Sequence, residues 1–168
     1  MISIIVAMDD DQLIGKKDSS NGMPWVNKED LKHFKETTIN KTILMGYTTY
    51  QAIGRPLPNR KTIVVSFEPF DDERVEVRTS LEDVIEEYKQ RNEDLFISGG
   101  ASIYKQSLPL ADQLLISRIP GHIRVKLIFL ILMNMDLNWL KQNLMKLLIY
   151  KSIVEVQNEK NYIFSFFV

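Results

Sequence analysis

The chain has no cysteine and only two histidines, His33 and His122. The first absence excludes disulfides and thiol nucleophiles and fits a reducing compartment. The second leaves little material for a multi-histidine metal site or a His-based triad. A basic field is missing too: 21 Lys and Arg stand against 22 Asp and Glu, for a net charge of −1. That balance argues against nucleic acid as a partner. No stretch approaches the ~20 apolar residues that a membrane span needs; the nearest, 129–148, is interrupted by Asn, Asp, Lys and Gln. The opening MISIIVAM is apolar but short for a signal-peptide core, with no basic leader or cleavage pattern. Its β-branched residues read as a buried strand over residues 2–8. The expectation is a soluble cytoplasmic protein with no membrane or nucleic-acid partner.

What is present suffices for one domain of 168 residues with a sizeable core. The chain is organised around residues 13–34, LIGKKDSSNGMPWVNKEDLKHF. Pro24 disfavours helix for the residue before it, so a helix should begin after Trp25 with Asn27 as N-cap. Asp30 is then the third helical position, where a carboxylate meets free backbone N–H groups. Leu31 and Phe34 put an apolar face beside this one acid. Taken alone, Asp30 reads as a capping-turn carboxylate.

Two further stretches combine a strand, glycine and a helix. TILMG ends in Gly46 and runs into YTTYQAIGRPLPNR; DLFIS ends at Gly99-Gly100 and runs into a helix containing Tyr104. Such junctions point backbone N–H groups at an anion, although each alone is more often a turn. Between them, TSLEDVIEEYKQ reads as a structural helix, capped by Ser80 with Asp83 three residues on, and with Leu81, Val84, Ile85 and Tyr88 on one face. QLLISRI, residues 113–119, reads as a later strand. The acidic run Asp9-Asp10-Asp11 is a solvated turn rather than a cation site, since no flanking ligands stand at metal-loop spacing.

Together these residues resemble the dihydrofolate reductase family. Gly15, Met23, Pro24, Trp25, Asp30, Leu31 and Phe34 fall on the pattern of its active-site loop and first helix, and IGRPLP with Arg60 is far more specific to the family than the strand–glycine–helix junction before it. The resemblance implies that Asp30 binds the pterin and favours its protonation, while Phe34 packs on the pterin and Leu31 lies beside it. Met23 and Trp25 would shape a lid over the nicotinamide, a loop that Ser19-Ser20-Asn21-Gly22 makes longer than usual. The backbone at Ile5, Val6 and Ala7 would line the pterin and nicotinamide pockets. Arg60 would grip the carboxylate of the folate tail, with Ile53, Arg55 and Leu57 near the aminobenzoyl group. Tyr104 would stand beside pterin and nicotinamide, with Ser98 and Ser117 at pterin-side positions where relatives carry an aliphatic residue and a threonine. NADPH would contact Ala7, Ile14 and Gly15, then Gly46, Tyr47, Thr48, Thr49 and Ser66, and then Gly99, Gly100, Ala101, Ser102 and Ile103. Tyr47 replaces the arginine that reads the 2′-phosphate in many relatives, and Phe67 replaces a frequent second serine.

The implied fold is α/β: a single domain with a mixed, mostly parallel, twisted sheet flanked by helices and closed by a C-terminal antiparallel hairpin. The implied activity is NADPH-dependent reduction of 7,8-dihydrofolate to 5,6,7,8-tetrahydrofolate, with hydride passing to pterin C6 and a proton to N5. A monomer is expected, and a diaminopyrimidine antifolate would pair with Asp30. Two alternatives are an inactive binding remnant and a reductase of the same fold acting on a riboflavin-pathway pyrimidine, whose members lack this Met-Pro-Trp and acid spacing. The resemblance runs to about Pro120, fails over 121–150, and returns over 151–168. Reading 121–150 one nucleotide to the left allows Gly-Glu-Thr-x-Phe-Pro, the family's motif, to emerge across residues 124–130. The expectation is a pair of compensating frame changes. The competing reading is a genuine amphipathic helix, on the spacing of Met133, Leu137, Leu140, Leu144 and Leu148.

Overall fold

A computed structural model describes residues 1–8, 14, 25–68, 70–119 and 163–167. Gly15, Met23, Pro24, the acidic run 9–11 and the departing segment 121–150 lie outside these residues. Among the described residues a seven-stranded sheet has the order β4-β3-β2-β5-β1-β6-β7. Its strands are β1 (Ile2–Met8), β2 (Thr42–Gly46), β3 (Lys61–Val65), β4 (Glu76–Arg78), β5 (Leu95–Ile97), β6 (Gln113–Arg118) and β7 (Ile163–Phe167). Every pairing is parallel except β6 with β7. The mixed, mostly parallel sheet is therefore as expected. The antiparallel strand that closes it is β7, and the other arm of the expected C-terminal hairpin falls outside the described residues.

The helices α1 (Lys28–Thr38), α2 (Tyr47–Ile53), α3 (Leu81–Gln90) and α4 (Ala101–Ser107) connect the strands. Right-handed crossovers fix which face each one covers. The connections through α1 and α2 run toward the β4 edge, and those through α3 and α4 run the opposite way, so the two pairs cover opposite faces. The cores agree. Ile2, Ile4, Val6, Leu44, Ile63 and Ile97 pack with Leu81, Val84, Ile85 and Tyr88 of α3 and Ile103 and Tyr104 of α4. On the other face Ile5, Ile43, Met45, Val64 and Phe96 pack with Tyr50 of α2, and Phe34 of α1 joins them. The alternation follows from the two-residue period of a strand buried on both sides.

The local signals read in the sequence have local causes. The side chain of Asn27 accepts hydrogen bonds from the backbone N–H groups of Glu29 and Asp30, both at 3.0 Å, and so starts α1. Ser80 accepts from the Asp83 N–H at 3.1 Å and starts α3. The four apolar residues of α3 are all buried, each contributing roughly 1.5–3 kcal/mol of burial. No helix among the described residues is long and apolar enough to cross a membrane.

Candidate active site

The topology decides where a ligand can enter. In an open α/β sheet, neighbouring strands whose chains leave to opposite faces open a crevice at their carboxyl ends. Here β5 is such a strand twice over. It feeds α4 on one face, while its neighbours β1 and β2 feed α1 and α2 on the other. Two crevices therefore flank β5, one against β1 and one against β2.

The β1/β5 crevice opens because β5 stops early. Pairing ends at Ile4 with Ile97, while β1 continues beside β6 as far as Met8. The Ile5 carbonyl is instead taken by the Tyr104 hydroxyl, which donates to it at 2.9 Å across 99 residues of sequence. Burial, then the negative charge of Asp30, pushes the Tyr104 phenol well above its usual range, so it stays a protonated donor. Asp30 sits in the first turn of α1. Burial raises its carboxyl above the usual range, and the hydrogen-bonding Ser117 hydroxyl and the charge of His33 pull it part of the way back. Ser117 is buried and pairs in register with Ala7 of β1. Three side chains far apart in sequence thus meet around one cleft, with Leu31, 49% exposed, next to the acid on α1.

Further along the same helix face, Phe34 follows Asp30 by about one turn. The Arg60 guanidinium carbon lies 5.7 Å from the centre of its ring. The Arg60 Nε is buried without a hydrogen-bond partner among the described residues, and burial lowers the group below the usual guanidinium range. It stays cationic, because guanidinium does not deprotonate in proteins. A half-buried cation with a donor unspent is a receptor for a planar anion. Ile53 and Leu57 pack nearby at the edge of the same core, whereas Arg55 is exposed. Trp25, at the mouth of α1, also has a buried Nε1 with no partner among the described residues.

The β2/β5 crevice is lined by backbone. The Gly46 N–H donates to the Gly99 carbonyl at 2.8 Å, which ties the two strand–glycine–helix junctions together. Side chains approach Gly46 and Gly100 closely. A Cβ on Gly46 would come 3.0 Å from Ile103 Cγ1, and one on Gly100 would come 3.0 Å from Thr49 Oγ1. Gly99 has φ +112°, a conformation that side chains rarely adopt, and its peptide bond to Gly100 is cis. Gly100→Ala is expected to raise KM for the ligand of this crevice about tenfold with little change in Tm, because the added methyl crowds the Thr49 hydroxyl and not the core. Steady-state kinetics with thermal denaturation checks both halves.

The dihydrofolate reductase family model matches residues 1–143. Dihydrofolate reductase of Bacillus subtilis is 43% identical over 120 residues, 71% of this chain and 69% of that protein. The chain belongs to the dihydrofolate reductase family. Dihydrofolate reductase type 3 of Salmonella typhimurium is 40% identical over 124 residues, 73% of this chain and 74% of that one. Among solved structures, dihydrofolate reductase from Enterococcus faecalis complexed with NADP(H) and RAB-propyl superposes with a TM-score of 0.74 at 29% identity. That superposition covers 98% of this chain and 92% of the other.

Within this reductase fold, the structure gathers Ile5, Asp30, Tyr104 and Ser117 at one crevice, and Gly46, Thr49, Gly99, Gly100 and Ile103 at the other. Val6 and Ala7 continue β1 past the end of β5. Ile14 packs against the α3/α4 core. Thr48 and Ser102 are exposed, and Ala101 is half-buried. Ser98 is used in the scaffold: its hydroxyl donates to the Leu44 carbonyl at 3.2 Å, continuing the β2–β5 link. Ser66 is buried and its hydroxyl donates to the Glu68 carbonyl at 2.6 Å. Sequence reasoning missed an aromatic group beside α2. The Tyr47 and Phe70 rings are 4.7 Å apart, and the Tyr50 hydroxyl donates to Asp72, which also pairs with Arg74. Phe70 stands in an irregular acidic turn with no periodicity to flag it.

Proposed function

We infer that this chain reduces 7,8-dihydrofolate to 5,6,7,8-tetrahydrofolate with NADPH, the reaction of its family, using the two crevices around β5. The observation that carries this reading is a single carboxylate, Asp30, set beside Ser117 and Tyr104 next to a glycine-walled cradle. Asp30 binds the pterin edge that presents an amino group and a ring N–H, since a carboxylate accepts two such bonds side by side. By holding that edge, Asp30 favours protonation of N5, with the proton arriving through water. Phe34 and Leu31 pack on the pterin and exclude solvent from the α1 side. Trp25 covers the nicotinamide end. Bound NADPH supplies the hydride for pterin C6.

The cradle fits the cofactor. Gly46, Gly99 and Gly100 leave no side chain between the backbone and a pyrophosphate, and the Thr49 hydroxyl is at hand beside Gly100. Arg60 holds the carboxylate of the folate tail through its fork of donors. Every group named comes from one chain, and the enzyme works as a cytoplasmic monomer.

The test is dihydrofolate-dependent loss of NADPH absorbance by the purified chain. Turnover that tracks Asp30 supports the reading; turnover equal in the chain and in Asp30→Asn overturns it. Arg60→Ala is expected to raise KM for dihydrofolate roughly ten- to hundredfold, the scale of one charged hydrogen-bonding partner. The same substitution should leave a pterin substrate without the glutamate tail unaffected, and equal losses for both substrates would remove Arg60 from the tail site.

A further inference from the structure

We propose that the adenosine end of the cofactor site recognises its ligand by aromatic stacking and not by charge, so that NADH serves nearly as well as NADPH, with Tyr47 and Phe67 setting this weak discrimination. The inference rests on the cofactor assignment above.

The direction of the cofactor follows from the two crevices. The pterin groups flank β1 and β5, and the glycine cradle lies between β5 and β2. A dinucleotide whose nicotinamide points toward β1 must run its adenosine outward, over the carboxyl ends of β3 and β4. Register fixes what stands there. Gly46 pairs with Val65, so Tyr47, the first residue of α2, and Ser66-Phe67-Glu68, which follow β3, occupy the same end of the sheet. The Ser66 N–H is tied in turn to the Arg78 carbonyl at the end of β4.

Phe67 is 81% exposed. An exposed phenyl gains from a flat partner, and an adenine ring is one. Tyr47 is already held by its contact with Phe70, which adds a second aromatic surface at this end.

Charge is the other half of the argument. NADPH differs from NADH by a 2′-phosphate, which dinucleotide sites hold with an arginine or lysine, whereas an acidic side chain suits the free 2′-hydroxyl. The 66–80 segment carries two cations, Arg74 and Arg78. Arg74 bonds Asp72 at 2.7 Å, and one nitrogen of Arg78 bonds both Glu76 and Glu87 at 2.9 Å. The Ser66 proton goes to the Glu68 carbonyl, and Glu68 adds an exposed carboxylate. Among the described residues of this segment, both cations are therefore already bonded to carboxylates.

Each charge-assisted bond that is missing forfeits roughly ten- to hundredfold in affinity. The experiment measures kcat/KM for NADPH and for NADH at saturating dihydrofolate, and binds each cofactor directly by calorimetry. The expected ratio of kcat/KM, NADPH over NADH, is below about tenfold. Tyr47→Arg should raise it tenfold or more by lowering KM for NADPH alone, and should make that KM newly dependent on salt. Phe67→Ser should weaken both cofactors alike. A ratio above about a hundredfold in the natural chain, or Tyr47→Arg leaving it unmoved, overturns the proposal. Comparable binding of both cofactors without turnover upholds it while the activity assignment falls; binding of neither overturns both.

Discussion

Asp30→Asn is expected to lower kcat/KM for dihydrofolate by on the order of 10²–10⁴, the usual span for a positioned acid–base group, and at the same time to stabilise the fold. The loss of activity follows from two roles vested in one side chain, since an amide neither accepts two pterin N–H bonds nor carries the charge that favours protonation of N5. The gain in stability follows from the direction of the Asp30 shift. Burial raises its carboxyl above the usual carboxylate range, so the folded chain binds this proton more tightly than the unfolded chain does. Stability then falls as pH rises from the ordinary carboxylate range through the raised value, and the cost is constant above it. The asparagine variant has no such fall. Its Tm should match that of the natural chain at the acid end and exceed it by a growing margin toward neutral pH, where each kcal/mol corresponds to roughly 2–4 °C. Thermal denaturation from pH 3 to 8 checks this, and a margin that shrinks with rising pH would contradict the burial argument. The site thus holds a group that the fold would be more stable without, as expected of a functional carboxylate.

The parts of the site that were legible in the sequence are those with local causes. The start of α1 could be placed because Pro24, Asn27 and Asp30 act within a few residues of one another, and the buried face of α3 follows from its own spacing. The glycine junctions were visible as punctuation, but not their contact. That Gly46 donates to Gly99 depends on β2 and β5 being neighbours, which is a property of strand order. The same holds for Tyr104. Its sequence position marked it by resemblance, yet the reason it is needed lies in the early end of β5, which leaves the Ile5 carbonyl to be satisfied from α4. Ser98 shows the opposite case, a polar residue at a site position whose hydroxyl is spent on a strand–strand link. Arg60 was singled out by its motif, while its stacking on Phe34 required two segments that approach only in the folded chain.

The second large effect is expected from residues 121–150. A chain carrying the shifted-frame reading of that segment should exceed the chain as written in kcat by roughly ten- to hundredfold and have a higher Tm. The physical reason lies at its two ends. β6 ends at Arg118 and its antiparallel partner β7 begins at Ile163, so the connection between them includes the whole departing segment. Ser117, which lowers the Asp30 carboxyl, pairs in register with Ile163. A connection that sets β7 imperfectly against β6 therefore displaces the wall of the pterin crevice, and a misplacement of ~1 Å costs about 10² in rate. The family model's match ends inside this segment, at residue 143, while the curated relatives align over 117 to 124 residues of the chain. Purified chains with each version, compared by NADPH oxidation and thermal denaturation, decide the matter. Equal kcat and Tm would mean that the written segment does the work of the family's own, by the amphipathic spacing of Met133, Leu137, Leu140, Leu144 and Leu148. A gene whose codons encode 121–150 as written would dispose of a reading error.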